Sequence, residues 1–104
     1  MTKISDCEEQ VMTVVWESSE APDLSAVRSA VNEKYGHEWA PQTVSTFLSR
    51  LVTKEYLVPE RKGRYTYYHV AISVEGYREQ RLKETVDMLF GGDKSKVVEC
   101  LNHI

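Results

Sequence analysis

The sequence predicts a mainly α protein with a small β-hairpin, arranged as a winged helix-turn-helix with a C-terminal helical tail. Three segments before residue 55 have apolar residues at helical spacing. Two short β-rich segments joined by a glycine-containing turn follow them, and the rest is again helical in pattern. A helix pair followed by a hairpin is the order of elements in a winged helix. We therefore expect a winged-helix domain at residues 1–72 and a separate helical region at residues 73–104.

The first two helices have clear boundary signals. Ser5 and Glu8 match a capping box, in which each side chain satisfies a backbone donor at the start of a helix. Asp23 is a good N-cap for the second helix. Gly36 predicts the end of that helix, because glycine readily adopts the left-handed conformation found there.

The third helix, predicted for residues 41–54, has an unusual polar face. Pro41 suits its first position, since the missing N–H would have no partner there. Apolar residues from Val44 onward form one side. The opposite side consists of Gln42, Thr46, Ser49, Arg50 and Thr53, flanked by Thr43 and Ser45. Solvated helices favour Lys and Glu there, because Ser and Thr are poorer helix formers. Close approach to another polar surface is one reason for such a face, and a simply solvated helix face is the alternative.

The hairpin has strands predicted at residues 57–61 and 64–70. Pro59 restricts the first strand to an edge position, and Gly63 can adopt the positive φ of a tight turn. The tip carries three cations: Arg61, Lys62 and Arg64. Three tyrosines stand in the second strand: Tyr65, Tyr67 and Tyr68. We expect these tyrosines to pack beneath the hairpin, with stacking on single-stranded bases as the alternative.

Two helices form the tail. Ser73 caps a helix that runs to about Phe90, Gly91 and Gly92 end it, and Asp93 starts the last helix. The apolar positions of the tail are Tyr77, Leu82, Val86, Leu89, Phe90, Val97, Val98 and Leu101. A short helical tail with exposed apolar positions is typical of an association surface. We therefore predict that the protein is a homodimer and that these residues form its interface.

The charge distribution points to double-stranded DNA as a partner. The net charge is −3, yet residues 42–64 carry five basic and two acidic side chains. A local basic centre suits contact with phosphates. In a winged helix the third helix enters the major groove, where short polar side chains allow close approach and an arginine can pair with guanine. Cations of the hairpin neutralise backbone phosphates. The predicted DNA-binding residues are Gln42, Thr43, Ser45, Thr46, Ser49, Arg50, Lys62 and Arg64.

Two stretches of the sequence closely resemble the penicillinase repressor family, of the BlaI/MecI/CopY type. One runs from Ile4 to Trp16, and the other, Trp39 to Lys54, covers the third helix; Lys62-Gly63-Arg64 and Tyr68 match the family's hairpin as well. The resemblance implies a homodimeric transcriptional repressor of genes for β-lactam resistance or related stress. It also implies an inverted-repeat operator of TACA/TGTA character. Gln42, Thr43, Thr46 and Arg50 match the family's recognition-helix positions, and Arg64 matches its hairpin arginine.

The sequence departs from the family pattern at several points. Glu55 stands where the family has glycine, so we expect a different turn after the third helix. The chain has no C-x-C motif, which argues against copper sensing. In β-lactam-responsive members a sensor protease cuts an Asn-Phe bond, whereas the matching position here reads Glu99-Cys100. The chain also ends at Ile104, before the family's usual final helix, which predicts a reduced dimer interface or a truncated sequence.

Other classes of function find little support in the sequence. We predict no enzyme activity, because no nucleophile motif or phosphate-binding glycine loop is present. His37, His69 and His103 lack metal-ligand spacing, so neither a metal nor a cofactor is expected. No apolar run approaches the roughly 20 residues of a membrane span, and no signal peptide precedes the first helix. We expect a cytoplasmic protein without membrane contact. The alternative to DNA binding is a winged helix that serves only protein–protein interaction.

Overall fold

The structure, a computed structural model, describes residues 2–104. Its elements are α1 (Asp6–Glu17), α2 (Leu24–Tyr35), α3 (Pro41–Thr53), β1 (Leu57–Lys62), β2 (Tyr65–Val70), α4 (Val74–Leu89) and α5 (Lys94–Leu101). The predicted fold class is confirmed: helices dominate, and the only sheet in the described part of the chain is one antiparallel hairpin. The chain divides into two compact units, Met1–Ile72 and Ser73–Ile104.

The core of the first unit lies between its three helices and the start of the hairpin. Each helix contributes its apolar stripe, and the fully covered side chains are Val11, Met12, Val27, Val31, Val44, Leu48 and Leu51. Tyr56 and Leu57 extend this core toward the sheet, and the Tyr56 hydroxyl donates to the Thr2 carbonyl over 2.6 Å. Burial of these side chains supplies most of the stabilisation, at roughly 25 cal/mol per Å² of apolar surface.

The predicted helix boundaries are confirmed at their caps. The Ser5 hydroxyl accepts from the Glu8 amide over 3.1 Å, while the Glu8 carboxylate accepts from the Ser5 amide over 2.7 Å. The Asp23 side chain accepts from the Ala26 amide, and Gly36 has φ 69° at the end of α2. The third helix ends one residue earlier than predicted, since Lys54 is its C-cap.

The hairpin pairs Leu57 with Val70 at its base and Lys62 with Tyr65 at its tip. The Tyr68 amide donates to the Pro22 carbonyl over 2.9 Å, so β2 is hydrogen-bonded on its other side to the connection between α1 and α2. Strand β1 is therefore an outer strand, and Pro59 lies on it as predicted.

The expectation that all three tyrosines pack beneath the hairpin is wrong. Residues directly opposite each other in an antiparallel pair share a face, so Tyr68 lies on the face of Pro59 and Leu57, toward the core. Tyr65 and Tyr67 lie on the other face, and Tyr65 is half exposed. Side chains alternate along a strand, so adjacent Tyr67 and Tyr68 cannot point to the same side.

The second unit consists of α4 and α5. Ser73 caps α4 by accepting from the Gly76 amide, and Asp93 caps α5 by accepting from the amides of Ser95 and Lys96. Gly91 and Gly92 both have positive φ between the two helices, in agreement with their predicted role as a stop signal.

Candidate nucleic-acid interface

The outer face of α3 is polar and open to solvent. Gln42, Thr46, Ser49 and Arg50 are exposed, whereas Thr43 and Ser45 at its edges are half-buried. One shallow surface hollow is lined by Gln42, Ser45, Thr46, Ser49, Arg50, Thr53 and Lys54. Five of the predicted DNA-binding residues thus lie together, while Lys62 and Arg64 lie apart on the hairpin.

Burial of the opposite side fixes the orientation of this face. Val44, Leu48 and Leu51 are completely covered, so rotating α3 would expose all three and cost several kcal/mol at about 1.5–3 kcal/mol for each buried side chain. Two hydroxyls on the outer face are already used within the helix. Thr46 donates to the Gln42 carbonyl over 3.0 Å, and Thr53 donates to the Ser49 carbonyl over 3.1 Å. Both oxygens keep a free lone pair as acceptors.

The turn before α3 is held by contacts to its backbone. The Trp39 amide donates to the Asn32 side chain over 3.1 Å, and the Trp39 carbonyl accepts from Arg28 Nε over 2.7 Å and from Asn32 Nδ2 over 3.2 Å. The Trp39 ring stacks on His37, with centroids 4.1 Å apart, and meets Phe47 of α3 at 5.1 Å. These contacts set where α3 begins. The sequence pattern gave no signal for Asn32, because its partner is a backbone group seven residues away.

The end of α3 is tied to the start of α1. Lys54 Nζ donates to both carboxylate oxygens of Glu8, over 2.8 and 3.1 Å, and Glu8 is fully covered. Burial raises the pKa of Glu8, but the hydrogen bonds from Lys54 and Ser5 outweigh it and lower the pKa below its usual value. Glu8 is therefore ionised at neutral pH, and Lys54 is engaged within the protein.

The turn after α3 keeps the backbone form that glycine favours, although Glu55 occupies it. Glu55 has φ 65° and is the only non-glycine residue with positive φ in the described part of the chain. Its amide donates to the Val52 carbonyl, and the Tyr56 amide donates to the Leu51 carbonyl, which is the Schellman arrangement. The prediction of a different turn after α3 is therefore wrong. The two closing hydrogen bonds and the buried Tyr56 hold Glu55 in the left-handed conformation.

The tip of the hairpin carries cations in different states. Arg61 Nε donates to the Gly63 carbonyl over 3.0 Å, and Lys62 Nζ lies 3.6 Å from the Glu60 carboxylate. Arg64 is exposed, and within residues 2–104 it forms no ion pair. A long cationic side chain free at a hairpin tip suits contact with a phosphate.

The predicted dimerisation residues fall into two groups by exposure. Tyr77 is buried, and Val86, Phe90 and Val97 are half-buried. Leu82, Leu89, Val98 and Leu101 are between 56% and 73% exposed. Met88 and Ile104 are not among the predicted dimerisation residues, yet they are even more exposed, at 80% and 95%. The second unit therefore presents much apolar surface to solvent.

Within residues 2–104, no group of three or more His, Cys, Asp or Glu side chains could hold a metal ion. No helix of the described chain is long and apolar enough to cross a membrane.

A three-helix unit with a basic hairpin, whose third helix buries its apolar side and exposes a polar one, defines the class of winged-helix DNA-binding regulators. Comparison with known proteins identifies the family. The model of the penicillinase repressor family matches residues 4–103. The penicillinase repressor of Bacillus licheniformis is 27% identical over 96 residues, which is 92% of this chain and 73% of that protein.

Solved structures agree with this assignment. The DNA-binding domain of the repressor BlaI is 32% identical, covers 74% of this chain and 94% of its own, and superimposes with a TM-score of 0.61. The Bacillus licheniformis BlaI monomer in complex with the blaP half-operator is 33% identical over 73% of this chain and 89% of its own, with a TM-score of 0.59. The hsRosR-S1 complex shares the fold, with a TM-score of 0.62 at 19% identity over 96% of this chain and 92% of its own.

The chain belongs to the penicillinase repressor family. It is a DNA-binding repressor and not an enzyme, as the sequence predicted.

Proposed function

We propose that this protein represses transcription as a homodimer that binds an inverted-repeat operator in double-stranded DNA. The observation that carries the proposal is the outer face of α3, whose exposed hydroxyl, amide and guanidinium groups stand on a helix that is anchored at both ends. Such short polar groups can approach base edges in the major groove, and Arg50 can form two hydrogen bonds with one guanine.

The hairpin of β1 and β2, residues 57–70, is the wing of the winged helix and supplies contacts of a different kind in this proposal. Arg64 and Lys62 at the hairpin tip would neutralise phosphates and so add affinity without reading sequence. The 33% identical BlaI structure is a monomer on a half-operator, which supports one protomer per half-site here. In this division of roles α3 selects the sequence and the wing strengthens its hold.

The second unit, residues 73–104, is the proposed dimerisation region, and residues 1–72 are the proposed DNA-binding domain. The side chains of Leu82, Leu89, Val98 and Leu101 are exposed apolar groups of the kind that take part in association. In the proposed dimer, the two recognition helices bind half-sites about 34 Å apart, one turn of DNA. Dimerisation then raises affinity because the second half-site binds at high effective concentration.

Repression follows from occupation of the promoter, and release follows from loss of dimerisation. The family resemblance suggests genes for β-lactam resistance or related stress as targets. A protein with this function works where the chromosome lies, so the proposal includes a cytoplasmic location. A sensor protease stays a prediction, and the matching bond Glu99–Cys100 lies within α5 at exposed residues.

The test is fluorescence anisotropy with a duplex that carries a TACA/TGTA inverted repeat, against a scrambled duplex of equal length, across a salt series. We expect preference for the repeat and a log–log salt slope of several units, at about 0.9 for each phosphate contact. Equal weak binding to both duplexes would contradict the operator. No binding at low salt would contradict DNA recognition and favour a winged helix used for protein–protein interaction.

A further inference from the structure

The outer face of the hairpin carries a carboxylate between two basic groups. In the register of the hairpin, Glu60 lies opposite Tyr67. Lys62, two residues after Glu60 on β1, and His69, two residues after Tyr67 on β2, lie on the same face. Glu60 Oε1 accepts a hydrogen bond from His69 Nε2 over 2.8 Å. The same oxygen lies 3.6 Å from Lys62 Nζ, whose ammonium is 5.9 Å from the centre of the Tyr67 ring.

Glu60 is ionised when it makes these contacts. The hydrogen bond from His69 is the main cause that lowers its pKa, and the charge of Lys62 lowers it further. A carboxylate next to a wing lysine has two effects on a nearby phosphate. It competes for the ammonium, and it repels the phosphate itself.

We propose that Glu60 limits the DNA affinity of the wing by holding Lys62, so that Lys62 must leave the carboxylate to reach a phosphate. This inference rests on the proposed function. His69 keeps the carboxylate on the outer face when Lys62 leaves it, so the competitor stays beside the DNA. Arg64 has no such partner in the described chain and reaches phosphate without exchange. Of the three cations at the hairpin tip, Arg64 is therefore unrestrained within the described chain, Lys62 is held by Glu60, and Arg61 donates through Nε to the Gly63 carbonyl.

An effect of Glu60 through Lys62 can be separated from direct repulsion of phosphates by the Glu60 carboxylate. If Glu60 acts through Lys62, removing the carboxylate helps DNA binding only when Lys62 is present. If Glu60 acts by repulsion alone, the gain is the same without Lys62. A double-mutant cycle measures this difference directly.

The experiment compares wild type, Glu60→Gln, Lys62→Ala and the double variant for binding to the inverted-repeat duplex across a salt series. We expect Glu60→Gln to bind about two- to fivefold more tightly, because exposed ion pairs are weak. We expect its log–log salt slope to steepen by up to about 0.9, one additional phosphate contact. In the Lys62→Ala background the gain should disappear. Glu20 is exposed in the connection between α1 and α2. Glu20→Gln removes the same negative charge as Glu60→Gln and should leave DNA affinity unchanged.

Three outcomes would overturn the inference. If wild type binds the duplex and Glu60→Gln binds it no more tightly, the inference about Glu60 is overturned and the proposed function stands. An equal gain with and without Lys62 would assign Glu60 to general repulsion. Absence of duplex binding by wild type and Glu60→Gln at low salt would overturn the proposed function and this inference together. Circular dichroism spectra that match wild type show that each variant is folded.

Discussion

The carboxylate of Glu8 and the ammonium of Lys54 lie 2.8 Å apart and join the first turn of α1 to the end of α3. Glu8 is covered, and Lys54 keeps about a quarter of its side chain exposed. The same carboxylate closes the capping box with Ser5. One side chain therefore starts the first helix and holds the end of the helix that carries the polar face.

The first prediction concerns the stability that this pair provides. Glu8→Gln keeps an acceptor for the Ser5 amide but removes the charge, and should lower the free energy of unfolding by about 1–3 kcal/mol. Glu8→Ala also loses the capping box and should cost about 1 kcal/mol more. Urea denaturation monitored by circular dichroism measures both. Asp6→Asn, which removes an exposed charge from the same turn, should cost less than Glu8→Gln; equal losses would assign the effect to the helix dipole.

The second prediction is the pH dependence of that stability. The pKa of Glu8 is lowered in the folded state from its usual 4.5, so its contribution is present above that pH and is lost as the pH falls through the folded-state value. The difference in unfolding free energy between wild type and Glu8→Gln should be constant above about pH 6 and shrink below about pH 4.5. A difference that stays constant down to pH 3 would show that Glu8 is not the titrating group.

The third prediction concerns the left-handed residue after α3. Glu55→Gly should raise the free energy of unfolding by up to about 1 kcal/mol, because glycine adopts φ 65° without the clash of a Cβ atom. Part of the gain is lost to the greater freedom of glycine in the unfolded chain. Glu55→Ala keeps the Cβ and should be close to neutral. Thermal unfolding provides the comparison, and a clear loss of stability in Glu55→Gly would contradict strain at this position.

The fourth prediction tests Arg50 as the residue that reads sequence. Arg50→Ala should weaken operator binding by about 1–3 kcal/mol and reduce the preference over a scrambled duplex. Arg50→Lys keeps the charge but cannot form the two parallel bonds to guanine, so it should retain affinity for the scrambled duplex and lose preference. Lys62→Ala should weaken binding to the operator and to the scrambled duplex by the same factor. Unchanged preference in Arg50→Ala would move the recognition face elsewhere.

The fifth prediction concerns self-association through the second unit. Leu89 and Val98 are 73% and 56% exposed, so Leu89→Asp or Val98→Asp should leave the fold intact and shift the protein toward monomer. A charge in an apolar interface is costly to desolvate. Sedimentation equilibrium measures the shift, and Leu89→Asn separates loss of apolar surface from charge repulsion. A dimer that persists in both Asp variants would place the interface on other residues.

The helices and strands and their order could be predicted from the sequence alone. Ser5, Asp23 and Ser73 act on backbone groups within three residues, so their role as helix caps is local and readable from the pattern. The polar face of α3 was equally readable, because apolar positions at helical spacing leave only one side for Gln42 and Arg50. The family resemblance followed from residues 4–16 and 39–54.

The contacts between residues that are distant in sequence could be known only from the folded chain. Glu8 and Lys54 are 46 residues apart, and no periodicity predicts that the start of one helix lies beside the end of another. The alternation of Tyr67 and Tyr68 is fixed by the strand, but the packing of Leu57 against the core selects which face is covered. Glu55 remains left-handed because buried Tyr56 and two closing hydrogen bonds outweigh the local preference of its side chain.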